Sequence, residues 1–386
     1  MPAFSNLLSP TKLGSVALRN RVVMASLTRD RSIPTNVPNR LNLEYYEQRA
    51  KGGAGLIMTE GTLISQQGTE WQNAPGIWSS EHVAGWKKIT DAVHVHGAKI
   101  FCQLWHVGRV AHPKASEQIK SGLPVYAPSA ISARGGTFRF LPGKPGYVTP
   151  TEVPDPNILI EQYRQAAINA KQAGFDGVEL HSANGYLVNQ FLDKNSNRRT
   201  DKWGGSYINR CRFGLEALKA IIEVWSADKV GIKINPTGGY NDVGMSLDDT
   251  LETFSHYIKE VDDMGLAYIS LVRYTPKMDA EYDGKKRGTK HDVLESYSPL
   301  IKRAAIILNA DLTPDEAEKL ISEGKICAAM FGMPWIGNPD LVERLRRGKP
   351  LNQDLDFHTL YGGGLPKNEE VMKKGYTDYP FATEGV

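Results

Sequence analysis

A set of positions with chemical potential falls at or just after the ends of short apolar runs. They are Thr28, Glu60, Gln103, Trp105, His181, Asn184, Tyr186, Lys233, Arg273, Asn309 and Gly332. No pair of acids dominates them. There is no HExxH and no Cys/His cluster of zinc spacing, and His94, His96, His106 and His112 lack the carboxylate partners of a metal site. No metal is therefore expected. A GxSxG elbow and a Walker loop are absent too. Amides, hydroxyls, one imidazole and cations suit the holding of a flat polar ring and the polarisation of a carbonyl. They do not suit hydrolysis. Blander roles compete: a strand-end histidine at 181, an Asn184-Gly185 turn, helix packing for Tyr186, a strand cap at Thr28, a solvated amide at Gln103 and a core indole at Trp105.

The elements that must position these groups are legible as an alternation. The runs Arg21–Ser26, Ala54–Glu60, Lys99–Trp105, Gly177–Leu180, Val230–Asn235, Ala267–Val272, Ala305–Asn309 and Ala328–Gly332 are apolar on successive residues, as parallel strands buried on both faces are. Helical patterns between them include Gly85–His96, Asn157–Ala173, Ser206–Trp225, Leu247–Met264 and Thr313–Ser322. Thr313-Pro-Asp-Glu316 reads as a capping box with Pro at the first helical position. Gly174, Gly265 and Gly324 stand where a left-handed residue ends a helix. Eight such units predict a single (β/α)8 TIM barrel over residues 1–386, with function at the C-terminal strand ends. A doubly wound sheet competes, but no GxGxxG follows any strand. Residues 106–156, rich in Gly and Pro, are expected to cap the barrel mouth. Residues 351–386 form a tail expected to close on the barrel.

Composition narrows the setting. Lys+Arg 46 against Asp+Glu 43 leaves a net charge of +3 with no basic stripe, so nucleic acid is not an expected partner. Hydrophobic residues at 41% exclude a mainly disordered chain. Cys102, Cys211 and Cys327 are few and odd in number, which fits a reducing compartment. With no signal-peptide pattern and no apolar stretch of about 20 residues, the expectation is a cytoplasmic protein without a membrane partner, as a monomer or homodimer.

Five segments in order carry a likeness to a known family. They are Tyr45-Tyr-Glu-Gln-Arg-Ala-Lys-Gly-Gly-Ala-Gly-Leu-Ile, Gln103-Leu-Trp-His-Val-Gly-Arg, Gly174-Phe-Asp-Gly-Val-Glu-Leu-His-Ser-Ala-Asn-Gly-Tyr-Leu, Asp201-Lys-Trp-Gly-Gly-Ser and Gly375-Tyr-Thr-Asp-Tyr-Pro. Over nearly its whole length the chain resembles the Old Yellow Enzyme family of flavin-dependent ene-reductases. The resemblance implies FMN as cofactor, NADPH or NADH as reductant, and an enone or enal as small-molecule substrate. It implies that His181 and Asn184 hydrogen-bond the substrate carbonyl and that Tyr186 gives the proton. It further implies that Thr28 and Gln103 contact the flavin ring, that Trp105 and Tyr361 line the substrate pocket, and that Asn309, Ala310, Asp311, Gly332 and Met333 form the phosphate loops.

Three positions depart from that family. Lys233 stands where an Arg is usual and cannot make a guanidinium's two-point contact. The glycine-rich turn after the seventh strand reads Asn309-Ala-Asp-Leu, and Met333 follows Gly332 in place of an Arg. Asp311 adds a negative charge and Met333 removes a positive one, with Arg273 and Lys285-Lys-Arg287 as cations that could compensate. An isomerase on the same barrel, with weak or no flavin binding, and a silent ligand-binding barrel are the alternatives.

Overall fold

The apolar runs pair side by side, all parallel, until the sheet closes on itself. The structure, a computed structural model, describes residues 4–69, 71–135 and 146–382. Its barrel strands are β1 Val22–Met24, β2 Leu56–Met58, β3 Lys99–Trp105, β4 Gly177–Ser182, β5 Val230–Ile234, β6 Tyr268–Val272, β7 Ala305–Asn309 and β8 Ala328–Phe331. Each pairs with the next in sequence, and β8 pairs with β1 to complete the ring. The strands are buried on both faces, which is why their sequences do not alternate. β1 and β2 are shorter at both ends than the sequence suggests, although the Ala25 and Thr59 N–H groups just past them still donate to the Phe331 and Phe101 carbonyls of neighbouring strands. β4 runs two residues further than expected, so His181 belongs to the strand itself.

The helices outside the ring are α1 Arg40–Lys51, α2 Ser80–Val95, α3 Asn157–Gln172, α4 Tyr207–Trp225, α5 Leu247–Asp263, α6 Val293–Tyr297, α7 Pro314–Ser322 and α8 Leu341–Arg346. α2 begins five residues before the expected Gly85. Ser79 and His82 close a reciprocal cap there, and Gly85 sits inside the helix against Pro38, whose carbonyl leaves no room for a Cβ. The expected capping box at Thr313 forms only by half. Thr313 accepts from the Glu316 N–H at 3.2 Å, but the Glu316 carboxylate turns to Arg273 instead. Gly174, Gly265 and Gly324 adopt left-handed φ of 80°, 73° and 69°, as helix ends require. No helix among the described residues is long and apolar enough to cross a membrane.

Two segments bring side chains to the mouth. Within 106–156, of which 136–145 lie outside the described residues, Val107, Val110, Val125 and Ala133 pack with Leu63, Trp71, Trp105 and Tyr186 in an apolar cluster separate from the main core. The tail, described to residue 382, is tied to the loop after β1. Buried Arg29 donates to the carbonyls of Leu360 and Gly375, and buried Arg31 to those of Thr359, Met372 and Lys374. Tyr376 stacks on Tyr45 at 4.2 Å. Carbonyls satisfy guanidiniums that would otherwise be costly to bury. The Gly362 N–H donates to the Arg29 carbonyl at 2.8 Å, which sets the neighbouring Tyr361 against Trp71, ring centroids 4.7 Å apart.

Candidate active site

Strand register assembles a polar layer within an apolar barrel. Gln103 pairs with Glu179 across β3 and β4, and His181 with Lys233 across β4 and β5. The two-residue period sends Glu179 and His181 to one face. Glu179 is fully buried, and its two oxygens accept from Gln103 Nε2 at 2.7 Å and from the Tyr268 hydroxyl at 3.0 Å. Tyr268 reaches it across Gly231, where any Cβ would stand 2.1 Å from the phenol ring. A carboxylate only accepts, so the Gln103 amide is fixed with Nε2 towards Glu179 and Oε1 left to meet a donor. Gln103 is 1% exposed, a buried amide and not the solvated one its bland reading supposed. Burial pushes the Lys233 ammonium down and the Glu179 carboxyl up, and each charge opposes the other's shift. Among the described residues the Lys233 Nζ meets only the Met330 Sδ, at 3.7 Å.

His181, Asn184 and Tyr186 are gathered by one strand–turn–helix passage. The Ala183 N–H donates to His181 Nδ1 at 3.3 Å, so the ring proton sits on Nε2. Burial, with the Lys233 charge acting the same way, pushes the imidazole down to about 3 and keeps it neutral. Asn184 and Gly185 turn the chain with left-handed φ of 57° and 68°. Asn184 Oδ1 accepts from Asn235 Nδ2 at 3.2 Å, and its main-chain carbonyl from Asn241 Nδ2 at 2.9 Å. Tyr186 precedes the short helix Leu187–Leu192. Its ring meets His181 edge-on at 5.1 Å and Trp105 edge-on at 5.0 Å. Tyr361 packs against the same cluster.

The ends of β1, β7 and β8 form the other side. Thr28 is half-buried in the loop after β1. Ala310 and Asp311 take successive left-handed φ of 85° and 45°, a strained pair standing where glycine would be free. Arg273 braces them, donating to both carbonyls at 2.7 Å while it pairs with Glu316 at 2.5 Å. The Asp311 carboxylate accepts from Thr275 at 2.5 Å and pairs with Lys277 at 3.1 Å, contacts that hold it below the usual carboxylate range. Asn309 Nδ2 donates to the Met330 carbonyl at 2.9 Å. The N–H groups of Ala310, Asp311, Gly332 and Met333 donate to no backbone oxygen among the described residues. Arg273 thus has structural partners at the very turn where the sequence suggested a compensating cation. Arg287 pairs with Asp242 at 3.2 Å, and Lys285 and Lys286 lie exposed on a two-stranded ribbon.

Sequence reasoning overlooked Glu179, Tyr268, Asn235 and Thr237. The signal was there for two of them: Glu179 precedes His181 by two in an apolar strand, and Asn235 follows Lys233 by two. No group of three His, Cys, Asp or Glu side chains among the described residues is placed to hold a metal.

Comparison with known proteins accords with this geometry. The family model for NADH:flavin oxidoreductase / NADH oxidase matches residues 6–352. The chain is 38% identical to the NADP-dependent oxidoreductase lnbE of Aspergillus flavus, over 99% of this chain and 98% of that one. It is 35% identical to a probable flavin mononucleotide-dependent alkene reductase of Leishmania infantum, over 97% of each. Among solved structures, an old yellow enzyme homologue from Zymomonas mobilis superposes with a TM-score of 0.86 at 34% identity, covering 97% of this chain and 99% of its own.

Proposed function

The chain belongs to the NADH:flavin oxidoreductase / NADH oxidase family, among the Old Yellow Enzymes, and from that premise we propose that it reduces the activated C=C bond of α,β-unsaturated carbonyl compounds. FMN is its cofactor and a nicotinamide its reductant. The residues at the mouth fit that cofactor. The Gln103 Oε1, left as an acceptor once Nε2 is committed to Glu179, and the buried Lys233 ammonium match the polar edge of a flavin ring. Thr28, half-buried in the loop after β1, is the further residue we assign to the ring. The N–H groups of residues 310, 311, 332 and 333, which donate to no backbone oxygen among the described residues, are what a phosphate needs in place of an arginine. When bound there, FMN would supply the hydride-transfer chemistry that links a reduced nicotinamide to the substrate β-carbon.

The protein's own side chains handle the charge and the proton. As the β-carbon gains hydride, negative charge builds on the carbonyl oxygen. His181 Nε2–H and Asn184 Nδ2–H are two fixed donors for it, stronger partners of the developing anion than of the ground-state carbonyl. A neutral imidazole suits the task, since it donates without becoming a competing acid. Tyr186 supplies the proton to the α-carbon and recovers one from solvent. Hydride and proton together saturate the C=C bond and leave the carbonyl intact. Trp105 and Tyr361 give the pocket apolar walls.

The observation that carries this reading is the tautomer of His181, fixed by the Ala183 N–H, beside an Asn184 amide whose oxygen is already taken. Asn184→Ala tests it. Enone reduction should fall by about 10²–10³, the worth of one oxyanion donor, with FMN content unchanged and one nicotinamide oxidised per product. An unimpaired rate, or turnover without nicotinamide, would overturn it.

A further inference from the structure

We infer that Asn235, just past the end of β5, is a positioning residue that decides which side of the Asn184 amide faces the substrate oxygen. The inference rests on the reading of Asn184 as a carbonyl donor. An Asn amide is nearly symmetric in shape, yet its two ends have opposite chemistry. Turned one way Asn184 offers N–H; turned the other it offers a lone pair that repels an oxyanion. Something unambiguous must choose between them.

The choice begins at a backbone group. The Thr237 N–H can only donate, and it donates to Asn235 Oδ1 at 3.1 Å; the Thr237 hydroxyl adds a second bond to the same oxygen at 2.7 Å. Asn235 Oδ1 is therefore pinned towards Thr237, and its Nδ2 must point the other way. That Nδ2 donates to Asn184 Oδ1 at 3.2 Å. Asn184 must accept there, which leaves its own Nδ2 for the substrate. Asn235 and Thr237 are both buried, so water does not compete at the Thr237 end of the relay. One fixed donor thus sets the polarity of two amides in sequence. Asn235 touches no reacting atom in this scheme and acts through Asn184 alone.

Asn235→Asp is the informative change. Aspartate keeps both bonds from Thr237 but offers Asn184 an acceptor where a donor stood. Asn184 can pair with it only by turning Nδ2 inwards, which presents Oδ1 to the substrate. The expected result is enone reduction slowed at least as much as in Asn184→Ala, with kcat falling more than KM rises. Asn235→Ala merely releases the amide and should cost about 2- to 10-fold, the range of one neutral hydrogen bond. Combining Asn235→Asp with Asn184→Ala should be no slower than Asn184→Ala alone, because the mutated group acts through a side chain that is gone. FMN content and melting temperature of each holoenzyme report on folding. If Asn184→Ala is slow while Asn235→Asp is as mild as Asn235→Ala, the inference falls and the carbonyl-donor reading stands. Losses that multiply in the double variant overturn it too, since the carboxylate then acts independently. A slow Asn235→Asp beside an unaffected Asn184→Ala overturns both.

Discussion

Met333→Arg should tighten FMN binding, by an amount the structure limits. Met333 follows Gly332 just past the end of β8, and its N–H is one of the four at the proposed phosphate site that donate to no backbone oxygen among the described residues. A well-aligned hydrogen bond to a charged group contributes about 1.5–3 kcal/mol. Met333 is 39% exposed, so solvent screens part of that, and ordering a long side chain removes more. About 1 kcal/mol remains, a Kd lower by roughly fivefold. The nearby acids will not divert the new guanidinium: Asp311 is held by Thr275 and Lys277, and Glu316 by Arg273. Fluorescence titration of the apoprotein measures the change. The gain should shrink as salt is raised, and riboflavin, which has the ring but no phosphate, should show none. An equal gain for riboflavin, or no gain for FMN, would refute the placing of the phosphate beside Met333.

Tyr186→Phe should leave flavin reduction by the nicotinamide nearly intact and slow reoxidation by enones, least for strongly activated acceptors whose intermediates take a proton from water. Rapid mixing of each half-reaction decides it, and equal slowing of both would make Tyr186 a ligand-positioning group. Glu60→Gln should stabilise the protein at alkaline pH. Burial raises the Glu60 carboxyl from 4.5 to about 7, so its contribution is intact below about pH 4.5 and lost as pH rises through about 7. The neutral isostere escapes that loss, worth about 3 kcal/mol at pH 8 and little at pH 5; urea midpoints at the two pH values that shift alike would contradict it.

The barrel was legible because parallel strands buried on both faces write continuous apolar runs, and because helix ends carry Gly174, Gly265 and Gly324. Its boundaries were less so. The start of α2 depends on a cap between Ser79 and His82 that propensity alone does not announce, and the Thr313 box was halved by a tertiary partner, Arg273. The same partner shows what a sequence cannot: the Arg273 guanidinium holds both carbonyls of the strained Ala310-Asp311 turn. His181, Asn184 and Tyr186 lie within one short segment, and it is the family resemblance that singles them out together. Gln103, Glu179, Lys233 and Tyr268 come from four different strands, and only strand register brings them into one layer.

That layer and the Asn184 relay share a principle that bears on how such a site can change. In each, an amide whose two ends look alike is oriented by a group with no choice: the carboxylate of Glu179 for Gln103, the backbone N–H of Thr237 for Asn184 through Asn235. An amide held by another ambivalent group would split between orientations, and each wrong one would place an acceptor against an acceptor. The two devices differ in consequence. Burial raises the Glu179 carboxyl and lowers the Lys233 ammonium while each charge opposes the other's shift, so substitution at 179 and at 233 is coupled. The Thr237 N–H belongs to the backbone and no substitution short of proline removes it. The orientation of Gln103 is thus open to joint change at two side chains, whereas that of the proposed carbonyl donor Asn184 is anchored through Asn235 in the chain path itself.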